Sequence, residues 1–146
     1  MLVNALKRAL LGLGFILTLK GCVTAPQPKP TIKPSYRAST ALLERGKLLM
    51  RQKRLTEAAL KFERALALDP SHGEVYFHLA SLKLKERAPL EAIGFAKRGL
   101  SFADLTNQEK FQFYVILSVS HRRLGNPKES ALYAQKAEAH KKKMVN

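Results

Sequence analysis

The sequence predicts an all-α protein, a solenoid of about three helix–turn–helix units, on three observations. From Ala38 onward Leu, Ala, Lys, Arg and Glu dominate, and all are good helix formers. The apolar residues of that region recur at helical spacing, and its prolines stand far apart, at Pro70, Pro89 and Pro127. Small residues then return at fixed helical positions. With Gly46, Ala80 and Ser118 aligned, the columns Ala58/Ala92/Ser130, Phe62/Ala96/Ala134 and Ala65/Gly99/Ala137 follow. Small residues in register let paired helices approach closely.

The chain begins differently. Met1–Arg8 carries Lys7 and Arg8 and no acidic residue, and Ala9–Leu19 is an apolar run of 11 residues. A basic start, a short apolar run and a small residue before a cut describe a secretory signal peptide over residues 1–21. A membrane span needs ~20 apolar residues, so this run predicts no permanent span. Leu19-Lys20-Gly21-Cys22 closes the segment, and Cys22 is the only cysteine. That tetrapeptide resembles the lipobox of bacterial lipoproteins at Leu19, Gly21 and Cys22, with Lys20 where a small residue is usual. The resemblance implies diacylglycerol on the Cys22 thiol and an acyl chain on its new amino terminus. It implies the outer membrane, because Val23 rather than Asp follows the cysteine. The alternative is a soluble secreted protein in which Cys22 is an ordinary small residue. Either way a lone cysteine forms no internal disulfide. No other cofactor is expected.

Residues 22–37 hold four of the seven prolines, Pro26, Pro28, Pro30 and Pro34. Proline lacks an N–H and turns the preceding residue away from helix, so this stretch predicts an extended tether. At ~3.1 Å per residue it would reach about 45 Å. Removing Lys7, Arg8 and Lys20 from the 26 basic residues leaves 23 against 11 acidic, a net +12 after the signal. Such a surface attracts anions. An export signal argues against nucleic acid and for envelope polyanions or an acidic protein face.

The domain spans 38–146 in three segments, Ala38–Pro70, Ser71–Asp104 and Leu105–Ala139. In the first, Ala58, Phe62, Ala65 and Leu66 share a helix face and Asp69-Pro70 stops the helix. Ser71 with Glu74 three residues on predicts a capping box for the next helix. In the third, Leu117, Ser118, His121 and Leu124 run to Gly125-Asn126, a helix stop. The first two segments are offset by 34 residues and the third by 38, which places four extra residues around Ala103–Asn107.

This pattern resembles the tetratricopeptide repeat, whose period is 34. The first segment matches at Leu42, Gly46, Leu49, Ala58, Phe62, Ala65 and Pro70 and departs at Arg45. The second matches at Tyr76, Leu79, Ala80 and Ala92 and departs at Lys83, Gly99 and Asp104. The third matches at Tyr114, Leu117, Ser118, Ala134 and Ala137. The resemblance implies a groove lined by the first helix of each unit. In the family register Lys47, Met50, Arg51, Phe77, His78, Ser81, Lys85, Val115, Val119 and Arg122 line it. That set suits a peptide carrying Asp, Glu or a terminal carboxylate. The carboxylate-clamp subgroup is not supported, because Leu43 and Lys47 occupy two of its positions.

No two of His72, His78, His121 and His140 have metal-ligand spacing, and no nucleophile stands beside a base. The reading is a non-enzymatic, lipid-anchored scaffold or adaptor on the periplasmic face of the outer membrane, binding a periplasmic or outer-membrane protein. Lipoproteins with such repeats include pilotins for pilus secretins and parts of outer-membrane assembly machines. The alternative is a basic lipoprotein binding peptidoglycan or lipopolysaccharide. The alanine-rich last helix and its Lys141–Lys143 tail predict a self-capping end and a monomer in the absence of its partner.

Overall fold

The computed structural model describes residues 33–102 and 104–145. The signal peptide at 1–21, Cys22 and the tether as far as residue 32 lie outside the described residues. The described residues form six helices and no strand: α1 (Pro34–Arg51), α2 (Leu55–Leu68), α3 (Gly73–Lys85), α4 (Pro89–Leu100), α5 (Asn107–Arg123) and α6 (Pro127–Lys142). They pair as three hairpins. The backbone of α3 approaches those of α1 and α5, whereas α2, α4 and α6 do not approach one another. The solenoid therefore curves with the first helix of each hairpin on its inner side.

Helix α1 begins at Pro34, four residues before the expected start at Ala38. Proline at the first helical position gives up an N–H that would have had no partner anyway, so the last tether proline opens the helix. All three inner helices end in the same Schellman cap. The amide of Arg54 donates to Leu49, that of Ala88 to Lys83 and that of Asn126 to His121, at 3.0, 2.9 and 3.0 Å. This cap requires one left-handed residue. Gly125 fills it in the third hairpin (φ 74°), but Lys53 (φ 61°) and Arg87 (φ 59°) fill it in the first two. A side chain there costs about 1–2 kcal/mol relative to glycine.

The expected Ser71–Glu74 capping box does not form. Ser71 donates its amide and hydroxyl to Asp69 Oδ1 at 3.0 and 2.6 Å, His72 becomes the N-cap, and Glu74 turns to Lys47. A capping box does form at Thr106–Glu109, inside the inserted segment.

Two apolar clusters hold the hairpins together. Leu43, Leu49, Phe62, Val75, Leu79 and Leu82 join the first to the second, and Tyr76, Ile93, Phe113, Ile116 and Leu117 join the second to the third. The Phe62 ring lies over Gly46. In the second hairpin Ala96 stands in the column of Phe62, and Phe113 of α5 reaches back over Gly99. The departure at Gly99 thus makes room for Phe113. In the last hairpin the small columns become serines. Ser118 Oγ donates to the Ser130 carbonyl at 2.9 Å and Ser130 Oγ to the Ser118 carbonyl at 3.0 Å. No further repeat covers this pair among the described residues, and the two hydroxyls tie α5 to α6.

Ser39 Oγ and His72 Nδ1, both buried, lie 2.7 Å apart and tie α1 to the α2–α3 turn. Burial holds His72, His78 and His140 below the ordinary histidine value of 6.5, opposed at His72 by Asp69 and at His78 by Glu74. The unfolded chain therefore takes up protons below about pH 6.5 that the folded domain resists. Stability should fall as pH drops from 6.5 through the lower folded values. Melting curves at pH 7, 6 and 5 check this; an unchanged or rising melting temperature contradicts it.

Candidate functional site

The α1–α3 face carries the groove. Lys47, Met50 and Arg51 stand at i, i+3 and i+4 on α1, and His78 and Lys85 stand two turns apart on α3. These five residues line one cavity of about 270 Å³. Lys47 Nζ bridges the two helices, 2.8 Å from Glu44 Oε1 and 3.2 Å from Glu74 Oε1. The hydrogen bonds that Lys47 donates to Glu44, then to Glu74, outweigh burial and raise its pKa, so its ammonium persists. His78 stacks on Phe62 at 5.6 Å, and burial keeps it neutral near pH 7. Among the described residues no carboxylate lies within ion-pair distance of Arg51 or Lys85.

Chemically the cavity offers two unpaired cations, a tethered third, an aromatic wall and a flexible thioether. Charge-assisted hydrogen bonds to a carboxylate suit the cations, and a methionine floor adapts to varied apolar side chains. Acid–base chemistry would need a partner group placed for it, and His78 faces only Glu74, at 3.5 Å.

The other five groove residues do not line this cavity. Phe77 is half-buried, its ring edge-on to Phe113 at 6.1 Å, and it packs on the second apolar cluster. Its neighbour in sequence, His78, reaches the groove instead. Ser81 and Val119 are half-buried, whereas Val115 and Arg122 are exposed on α5. Sequence reading missed the two acids that fix Lys47. Only Glu44, three residues away on the same helix, carried a local signal.

A larger cavity of about 410 Å³ opens at the α2–α3 and α4–α5 turns, with Asp69, Glu74, Asp104 and Glu109 on its walls. Asp69 is engaged by Ser71, Glu74 by Lys47 and Glu109 by Thr106, which leaves little carboxylate free for a ligand. Among the described residues no group of three His, Cys, Asp or Glu is placed to hold a metal ion.

The tetratricopeptide repeat family matches residues 39–72, which are α1, α2 and the turn into α3. No curated protein matches the chain. Among solved structures, the globular C-terminal domain of P. aeruginosa LpoP superposes with a TM-score of 0.66. It has 24% sequence identity and covers 74% of this chain and 99% of that one. At that identity the likeness concerns the fold. Residues 39–72 form a tetratricopeptide repeat, and the described residues as a whole adopt the all-α helical-repeat fold, an architecture that binds other proteins.

Proposed function

We propose that this chain is a non-enzymatic, lipid-anchored scaffold on the periplasmic face of the outer membrane. Its α1–α3 groove takes an acidic segment of a periplasmic or outer-membrane protein, in envelope or pilus and secretion assembly. The observation that carries this reading is the convergence of Lys47, Met50, Arg51, His78 and Lys85 on one cavity. Among the described residues two of its cations, Arg51 and Lys85, pair with no carboxylate, and Met50 adds an apolar lining. The anchor rests on Cys22 and the segment before it. No helix among the described residues is long and apolar enough to cross a membrane, which is compatible with an acyl anchor.

Two outcomes are expected. Arg51→Glu with Lys85→Glu reverses both free cations and should reduce capture of the protein partner at least ten-fold, equivalent to about 1.4 kcal/mol. Crosslinked pull-downs compared with wild type would reveal this, and undiminished capture would overturn the groove assignment. Cys22→Ala should abolish labelled palmitate uptake and release the domain from the membrane fraction. An Ala variant that still fractionates with membrane, beside a wild type that takes up no label, would overturn the anchor.

A further inference from the structure

A second basic site lies on the edge formed by the turns within the hairpins and shares only Lys85 with the groove cavity. Lys85, Arg87 and Arg123 line a cavity of about 450 Å³ with Leu84 and Pro89. The Leu84 carbonyl organises it. That oxygen accepts the Arg87 amide at 3.2 Å and also the Arg123 guanidinium, which reaches across from the third hairpin. One acceptor therefore holds an arginine side chain and the backbone of a second arginine at the same spot. The nearby acids are already engaged, because Lys83 bridges Glu86 and Glu91 at 3.1 and 3.0 Å. Among the described residues no carboxylate pairs with Lys85, Arg87 or Arg123.

Arg87 also sits where the backbone favours glycine, at φ 59°, while the third hairpin uses Gly125 at the same position of its cap. The turn geometry does not call for an arginine there, and Arg87 lines the cavity.

We infer that this cavity binds a phosphate group. Guanidinium forks pair two oxygens of one phosphate, and a third cation matches its remaining charge. A guanidinium already held in place loses less freedom on binding than a free one. The phosphate can come from a diester, as in an anionic lipid headgroup or a polymer, or from a free monoester.

Calorimetric titration of the full acylated chain in neutral detergent at low salt, with inorganic phosphate and with glycerophosphoglycerol as probes, tests this. Tighter binding of the diester assigns the site to headgroups or polymers, and tighter binding of inorganic phosphate to free phosphates. Arg87→Gly should weaken the preferred probe about ten-fold while holding or raising the melting temperature. Lys53→Gly removes the same charge and the same left-handed side chain from the first hairpin, so it should raise the melting temperature and leave binding within two-fold. If Arg87→Gly melts below wild type, Arg123→Gln, which leaves the cap intact, takes its place and should weaken binding equally. Absence of binding by wild type, or equal losses in the Arg87 and Lys53 variants, would overturn the site in favour of diffuse charge. The Arg87, Arg123 and Lys53 variants leave every residue of the groove cavity in place, so the groove's partner can fail or succeed separately.

Discussion

Phe62→Ala should destabilise the domain by about 3–5 kcal/mol, a large share of the ~5–15 kcal/mol that holds a domain folded. The ring is fully buried, lies over Gly46 and belongs to the cluster that joins the first two hairpins. Its neighbours on the same helix face, Ala58 and Ala65, are too short to fill the space. The ring also stacks on His78, so its loss frees one wall of the groove. Urea unfolding measures the change. Leu132→Ala, at an exposed position on α6, should stay within about 0.5 kcal/mol. A loss below about 1 kcal/mol at Phe62 would mean that the hairpins do not depend on this contact.

One substitution at two sites on α4 should have opposite signs. Gly94→Ala should stabilise by about 0.5–1 kcal/mol, because the helix is relieved of a glycine and a new methyl group meets nothing within 4 Å. Five residues on, Gly99→Ala should destabilise by about 1–3 kcal/mol through overpacking. A methyl group there would press well inside contact distance of the Phe113 ring, which is itself buried and cannot swing aside. Thermal melts of both variants decide between the packing described and mere helix propensity. If both variants rise together, Phe113 does not seat on Gly99.

Much of this arrangement was legible in the sequence, because the small-residue columns encode how closely paired helices approach. Gly46, Ala58 and Ala65 marked the first hairpin without ambiguity, and Phe62 marked the ring that fills it. The second hairpin was harder to read, since its aromatic comes from the next one. Phe113 lies 14 residues beyond Gly99, and no local period links them. The Ser71 cap failed for a related reason. Ser71 donates both its amide and its hydroxyl to Asp69, two residues back, so its oxygen is not turned to accept the amide of Glu74. At the groove, the face of α1 could be read from helical spacing alone. On α3, His78 and Phe77 are neighbours in sequence, and only the packing of Phe113 decides which one turns inward to the core. The mutual hydrogen bonds of Ser118 and Ser130 were visible only as small residues.

The central claim is that the α1–α3 groove, and not the rest of the basic surface, holds a protein partner. Its most direct test is a photocrosslinking amino acid placed in the full chain at Met50, on the groove wall, and separately at Leu60, exposed on α2. In cells, irradiation should give one dominant protein adduct from position 50 and none from position 60. Equal adducts from both positions, or none from position 50, would contradict the account.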